Sequence, residues 1–270
     1  MDNEFAKSRE INRFIDGKSK VVVDSVAIEE PLEISLTPSG SEKKNISITM
    51  RTPGNDNDLA IGFLFTEGIV SEPQQLLKVI TDENKVNVHL KEGVSIDFKK
   101  LERHFYTSSS CGVCGKSSIE SIRTVCSYDF DAYAINISSD IILSLPGKVR
   151  QQQDVFEQTG GLHACALFDT AGKLLTVFED IGRHNALDKL IGHAFQQNML
   201  PLNNHLLLLS GRASFELIQK AAMAGIRFVM AVGAPSSLAI ELAEEFGLTL
   251  IGFLNENRFN VYTGQQRVII

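Results

Sequence analysis

What the chain lacks is the first guide to its class. None of its apolar runs approaches the roughly 20 residues that a membrane-spanning helix needs. Its charged N-terminus also has no apolar segment of the kind found in secretory signals. Basic residues are outnumbered by acidic ones, 26 against 33, and the net charge of -7 argues against general binding to nucleic acid. We therefore expect a cytoplasmic protein with no membrane span and no nucleic-acid partner.

Cysteine is scarce as well, because the 270 residues include only Cys111, Cys114, Cys126 and Cys165. In a reducing compartment, such cysteines are more often reactive or metal-binding than paired in structural disulfides. Cys111 and Cys114 form a CxxC pair in a segment rich in serine and glycine. Lys116 and the start of a predicted helix follow at once, and their positive charge favours the thiolate form. The segment is therefore the first candidate for chemistry.

Three chemistries fit this CxxC pair: a redox dithiol, half of a zinc site, or a sulfur-carrying cysteine with a neighbouring thiol. A zinc site would take two more ligands from Cys126, Cys165, His163 or His184. The chain has no second CxxC and no HxxxH pair, so we predict no metal. The βαβ context of thioredoxin is missing around the pair, and so is the zinc-deaminase signature.

The first part of the chain has the pattern of a β-rich subdomain. Residues 1–19 are expected to be frayed or helical, and short alternating strands follow over residues 20–105. A buried helix is predicted at residues 59–65, with Asp56, Asp58 and Glu67 capping and solvating it. Residues 106–126 are predicted to form the mobile CxxC loop and a short helix.

Residues 127–270 have the pattern of an α/β domain, in which apolar strands alternate with helices. A helix is expected to begin near Pro146 and to run through Val155. The later alternation predicts a largely parallel sheet covered on both faces. In such a sheet the turns that follow the strands meet at the carboxyl edge, where ligands bind.

The predicted turns at this edge carry polar side chains that suit an anionic ligand. Two of them open helices, whose backbone N–H groups and serine hydroxyls favour anions, although each serine alone is explained as a helix cap. No P-loop or GxGxxG fingerprint is present. His184 is a candidate hydrogen-bond donor or general acid–base, and Asp188 and Lys189 are expected on an exposed helix face. The predicted contacts of the anion are Arg183, His184, Arg212, Ser214, Ser236 and Ser237.

Eight longer motifs follow one another along the chain. They are Arg51–Gly54, Leu59–Gly68, Ser109–Lys116, Thr159–His163, Glu179–Ala186, Ser210–Glu216, Ala234–Ala239 and Asn260–Thr263. In this order they resemble the formate dehydrogenase accessory sulfurtransferase family, FdhD/NarQ, from about Glu30 to Thr263. The resemblance implies a cytidine-deaminase-like, three-layer αβα C-terminal domain without deaminase chemistry.

The resemblance also implies a function, that of a sulfurtransferase. Sulfur would come from a cysteine desulfurase as a persulfide on Cys111, with Cys114 as its partner. It would pass to the molybdenum cofactor, in its bis-molybdopterin guanine dinucleotide form, before that cofactor enters formate dehydrogenase. The stretch that matches the family's cofactor-binding loop is Phe253, Leu254, Asn255, Glu256, Asn257 and Arg258.

Two residues depart from the family's pattern. Asn255 stands where many relatives have arginine, and Cys165 stands where a small residue is usual, so Cys165 is interpreted as packing. A thiol–disulfide oxidoreductase and a cofactor chaperone that needs no thiol remain as alternatives. The sequence is also compatible with a homodimer.

Overall fold

The computed structural model describes residues 5–94, 96 and 135–270. Cys111, Cys114 and Cys126 lie outside the described residues, as do the helices predicted near Lys99 and after Ser117. The predicted chemistry of the CxxC loop therefore stays a prediction, and the described residues define the rest of the fold.

The N-terminus forms a two-stranded antiparallel ribbon of β1 (Ala6–Ile15) and β2 (Lys18–Ala27). Asp16 and Gly17 join the strands, with φ angles of 50° and 74°. Positive φ at both turn residues is the geometry that Asp-Gly favours in two-residue hairpins. The prediction of a frayed or helical N-terminus was therefore wrong for the described residues.

A four-stranded sheet follows, in the order β4-β3-β6-β5. Its strands are β3 (Glu30–Thr37), β4 (Lys44–Arg51), β5 (Leu76–Asp82) and β6 (Lys85–Leu90). Between β4 and β5 lie helix α1 (Asp56–Thr66) and a 3-10 turn (Pro73–Gln75). Alternate residues of β3, namely Leu32, Ile34 and Leu36, are fully buried, as the sequence pattern predicted.

Residues 135–160 form short strand β7 (Ile137–Ser138), helix α2 (Ser139–Arg150) and helix α3 (Asp154–Thr159). Pro146 was expected near a helix start but lies inside α2. A proline there leaves out one backbone hydrogen bond. Its ring is buried, and α2 also packs its apolar residues Ile142 and Leu145 into a core.

The C-terminal half of the chain forms a six-stranded sheet in the order β13-β12-β11-β10-β8-β9. Strands β10, β11 and β12 are parallel to one another, whereas β8 and β13 are antiparallel to their neighbours. The sheet is therefore mixed rather than largely parallel. The strands are β8 (His163–Asp169), β9 (Leu174–Asp180), β10 (His205–Leu209), β11 (Phe228–Ala231), β12 (Thr249–Gly252) and β13 (Asn260–Thr263).

Both faces of the six-stranded sheet are covered, which gives three layers. Leu207 and Leu209 face one core, and Leu206 and Leu208 face the other, which lies against α2. The first core contains residues of α4 (Arg183–Gln196), α5 (Phe215–Met223) and α6 (Ser237–Glu245), together with those of α1. A 3-10 turn (Gln265–Arg267) and β14 (Val268–Ile269), which pairs with β7, close the chain. The α/β class is confirmed, and the cytidine-deaminase-like label stays a prediction.

Helices α1 and α4 cross closely because Gly62 and Gly192 leave no side chain between them. A Cβ atom on either glycine would overlap the backbone of the other helix. Asp188 and Lys189 of α4 were expected on an exposed face, but both are buried. Asp188 binds Lys220, and Lys189 Nζ lies 2.7 Å from Asp180. Charges on this helix therefore join elements inside the protein.

The carboxylates around α1 also bind across elements, although the sequence predicted that they cap and solvate the helix. Arg51 donates two hydrogen bonds of 2.9 Å to Asp56, and Gln196 donates one of 2.6 Å to Asp58. Glu67 lies 3.5 Å from Lys220. Among the described helices, none is long and apolar enough to cross a membrane.

Candidate functional site

The turns after β9, β10, β11 and β12 lie at one edge of the six-stranded sheet, which we call the carboxyl edge. Backbone hydrogen bonds join its loops beyond the ends of the strands. Gly233 donates to the Gly211 carbonyl at 2.9 Å, and Phe253 donates to the Gly233 carbonyl at 3.1 Å. The prediction that these turns share an edge is therefore correct, and the loops form one platform.

Both basic and acidic side chains act on His163 at the start of β8, on this edge. Burial lowers the pKa of His163, and the charges of Arg183, His184 and Arg212 lower it further. The His163 imidazole is therefore neutral at pH 7. Gly211 leaves room for the ring, because a Cβ atom there would lie 3.1 Å from the His163 Nδ1 atom. The cluster combines positive charge with a neutral imidazole.

The His184 side chain contacts two side chains at the start of α5, those of Ser214 and Glu216. Its Nε2 atom lies 3.4 Å from the Ser214 hydroxyl and 3.8 Å from a Glu216 carboxylate oxygen. The interaction with His184 is the main reason that the pKa of Glu216 falls to about 2. Sequence reasoning missed Glu216, although it ends the Ser210–Glu216 motif and stands in the first turn of a helix.

The serines at the helix starts have different roles. The Ser236 hydroxyl accepts a 3.2 Å hydrogen bond from the Ala239 backbone, so it is an ordinary cap of α6. Ser214 makes no such bond to α5 and contacts His184 instead. Ser237 is exposed at the start of α6, and Arg212 is exposed on its turn.

Two polar residues near the edge point into the protein. Asp180 is fully buried and accepts hydrogen bonds from the Gly182 backbone and from Asn185. The Asn185 side chain donates to the Met50 carbonyl of β4 at 2.8 Å. These contacts fix the turn after β9 against the four-stranded sheet, so that Arg183 and His184 are held in place.

The loop from Phe253 to Arg258 has a defined shape. Phe253 has a φ angle of 53°, a conformation rare for a residue with a side chain, and its ring is partly exposed. Leu254 is buried against α2. The Asn255 side-chain oxygen accepts hydrogen bonds from the backbones of Asn257 and Arg258, at 2.9 and 3.1 Å. Asn255, the residue that departs from the family's pattern, therefore stabilises the loop that carries it.

A cavity of about 420 Å³ opens beside this loop. Its walls are largely apolar, and Glu256 of the loop reaches across to Arg150 at 3.5 Å. Sequence reasoning missed the cavity, although the Thr159–His163 motif supplies part of its wall. The lining residues are Pro146, Val149, Arg150, Gln153, Phe156, Gly160, Gly161, Leu162, His163, Leu208, Ser210, Val232, Leu254 and Asn255.

Cys165 lies behind the carboxyl edge and is buried, in agreement with its interpretation as packing. Burial raises the pKa of its thiol well above the usual range, and Asp188 and Asp180 raise it further. A thiol of this kind is inert. Within residues 5–94, 96 and 135–270, no three side chains of metal-ligating type cluster together.

Together, the arrangement suits a ligand with an anionic part and a less polar part. Arginines and helix starts bind phosphate-like groups, and the cavity beside them has room for a ring system. The described residues bring Arg183, His184, Arg212 and Ser214 to one side of the edge. The loop after β12 lies next to the cavity.

Comparison with known proteins gives consistent matches. The model of the FdhD/NarQ family matches residues 27–269. The "Sulfur carrier protein FdhD" of Streptomyces avermitilis is 46% identical over 97% of the chain and 95% of its own length. A protein of the same name from Picrophilus torridus is 45% identical, over 96% and 97%.

One solved structure has a similar fold. It is a chain from Desulfotalea psychrophila described as a formate dehydrogenase accessory protein. It matches 98% of this chain and 100% of its own length, with a TM-score of 0.77 and 22% identity.

Proposed function

Because this chain belongs to the FdhD/NarQ family, we propose that it is a sulfur carrier in the maturation of formate dehydrogenase. The observation that carries the proposal is the cluster of Arg183, His184 and Arg212 at the carboxyl edge, with a cavity beside it, in a chain of net charge -7. Relatives with the name of sulfur carrier match the chain over nearly its full length.

In the first step, sulfur binds to Cys111. The Cys111 thiolate attacks the outer sulfur of a persulfide on a cysteine desulfurase. A new S–S bond forms on Cys111, the old one breaks, and the desulfurase cysteine leaves as a thiolate. Lys116 and the helix start predicted after it would favour the Cys111 thiolate.

In the second step, sulfur leaves Cys111 for the acceptor. The Cys114 thiolate attacks the inner sulfur of the persulfide and expels the outer sulfur as hydrosulfide, which the acceptor takes up. A Cys111–Cys114 disulfide remains, and a cellular dithiol reduces it for the next cycle.

The acceptor in this proposal is the molybdenum cofactor in its bis-molybdopterin guanine dinucleotide form. Its diphosphates would bind Arg183, Arg212 and the helix starts of the carboxyl edge, and a ring would enter the cavity lined by Leu254 and Asn255. His184 and Ser214 would donate hydrogen bonds to the same group. The sulfur-loaded enzyme, a sulfurtransferase, would thus hold its acceptor before formate dehydrogenase receives it.

The acceptor site is tested with guanosine diphosphate as a probe. We expect it to bind the wild-type protein and to bind the Arg212→Ala variant about 10-fold or more weakly, because a charged hydrogen bond contributes about 1.5–3 kcal/mol. Isothermal titration calorimetry at fixed salt concentration measures both affinities.

Lys173→Ala is the matched control. It removes the same charge from the exposed turn between β8 and β9, at the opposite end of the sheet. Equal losses in the two variants would indicate a general charge effect. That result, or no binding to the wild type, would contradict the assignment of the edge.

A further inference from the structure

The wall of the 420 Å³ cavity contains a buried side-chain amide that has no hydrogen-bond partner among the described residues. This amide belongs to Gln153, which is only 7% exposed. Gln153 stands at the start of α3, but its side chain makes no capping hydrogen bond to that helix. Its backbone N–H donates to the Arg150 carbonyl, and its carbonyl accepts from Glu157. The side-chain amide is therefore the part of Gln153 with unused hydrogen-bonding capacity.

Three other polar side chains of the cavity wall are engaged with the protein. The Ser210 hydroxyl accepts a 2.8 Å hydrogen bond from the backbone of β8, and the Asn255 oxygen accepts from the backbone of its own loop. Arg150 lies 3.5 Å from Glu256. A buried amide is normally hydrogen-bonded, and leaving it without a partner is unfavourable. The free amide of Gln153 therefore indicates a hydrogen bond that a ligand of the cavity supplies.

An aromatic ring accompanies this amide on the same helix. Phe156 follows Gln153 by three residues in α3, and both residues line the cavity. Residues three apart are neighbours on the surface of a helix. The Phe156 side chain is 39% exposed, and an aromatic face of this kind can stack on a planar ring. The start of α3 therefore suits a flat ring that carries both a donor and an acceptor on one edge.

We infer that Gln153 is a specificity-determining residue of the acceptor site, and that its amide pairs with the lactam edge of a guanine or pterin ring. A lactam edge places a ring N–H beside a C=O group. The Gln153 oxygen accepts from this N–H and its NH₂ group donates to this C=O, so two parallel hydrogen bonds form. A ring without that edge leaves the buried amide unpaired. The inference rests on the proposed function, because it names the ring that the acceptor site takes.

Isothermal titration calorimetry compares the wild type with Gln153→Met, which keeps the length of the side chain and removes its amide. We expect the variant to bind guanosine diphosphate and inosine diphosphate about 10-fold or more weakly, because both rings have the lactam edge. The diphosphate of 2-aminopurine riboside lacks the oxo group and the ring N–H, and we expect wild type and variant to bind it equally. Gln152→Met, at the exposed neighbouring position, is the matched control and should bind all three ligands as the wild type does.

Two further probes separate the ring from the phosphates and guanine from pterin. Inorganic pyrophosphate has no ring, so we expect wild type and Gln153→Met to bind it equally. The probe 6-hydroxymethylpterin carries the lactam edge without a phosphate. A loss of affinity confined to the purine diphosphates assigns the amide to guanine, whereas a loss that extends to the pterin assigns it to pterin, and either result supports the inference.

The thermal midpoint without ligand separates a ligand contact from a structural one. We expect Gln153→Met to be at least as stable as the wild type, because it replaces an unpaired amide by an apolar group of similar size. A lower midpoint than that of Gln152→Met, a loss of pyrophosphate affinity as large as that of guanosine diphosphate, or unchanged affinity for guanosine diphosphate would overturn the inference alone. A wild type that binds no guanosine diphosphate would contradict the proposed acceptor site as well.

Discussion

Replacement of Lys220 by methionine is expected to lower the free energy of unfolding by about 3–5 kcal/mol, because it leaves a buried carboxylate without its counter-charge. Lys220 Nζ lies 2.9 Å from Asp188 and 2.8 Å from the Thr66 hydroxyl, so one ammonium joins α1, α4 and α5. Burial lowers the pKa of Lys220, but the charges of Asp188 and Glu67 outweigh it, and the pKa is raised. Urea unfolding at pH 7 measures the loss.

Two further variants test whether the stability depends on this buried ion pair or on ion pairs in general. Lys43→Met breaks the Lys43–Glu33 ion pair, which lies at the surface, and is expected to lower the free energy of unfolding much less than Lys220→Met does. Asp188→Leu/Lys220→Met removes both buried charges and should recover most of the stability. If Lys220→Met cost no more than Lys43→Met, the buried network would not support the helical layer.

Gly62→Ala is expected to destabilise the protein by about 1–3 kcal/mol or more, because overpacking forces helices apart. An alanine in a helix normally stabilises it relative to glycine by about 0.5–1 kcal/mol. Here the added methyl group would overlap the Asp188 carbonyl and the backbone of Gly192. A loss of stability, instead of the usual gain, would therefore show that α1 and α4 cross in close contact at Gly62.

Gly147→Ala is the matched control for Gly62→Ala. Gly147 is also a helix glycine, in α2, and a Cβ atom there would meet only Glu256, at an ordinary distance of 3.5 Å. We expect this variant to be stabilised, as measured by the thermal midpoint. A stabilising effect of both substitutions would contradict the close crossing.

Local pattern predicted the carboxyl edge well. Apolar strands such as His205–Leu209, each followed by a polar turn and a helix, determine where the turns lie in a sheet of this kind. The sequence predicts the pairing of β8 with β9 around the turn at Thr170–Gly172, but neither the antiparallel pairing of β8 with β10 nor the cavity at the start of β8 could be deduced in this way. Both depend on strand order and on the packing of α2, which no short stretch of sequence specifies.

Pairing between residues far apart in the sequence explains why charged residues that were predicted to be exposed are buried. Asp188 and Lys220 are 32 residues apart, and Lys189 meets Asp180 only because the turn after β9 folds back onto α4. The sequence placed Asp188 and Lys189 on an exposed helix face, since a charged side chain is usually exposed. Their partners could be identified only in three dimensions.

The ribbon, by contrast, had a local signal that went unused. Asp16-Gly17 stands between two runs rich in β-branched and apolar residues, and this is the pattern of a two-residue hairpin. The expectation of a frayed or helical segment at residues 1–19 overlooks this turn, whose two residues both have positive φ angles.

The central claim, that Cys111 carries sulfur, is tested most directly by mass. The full chain is incubated with a cysteine desulfurase and cysteine, and Cys111 is then analysed without reduction. We predict one added sulfur atom on Cys111 in the wild type and in Cys114→Ala, and none at that position in Cys111→Ala. A wild type without added sulfur, or a Cys111→Ala variant that fully supports formate dehydrogenase activity, would contradict the account.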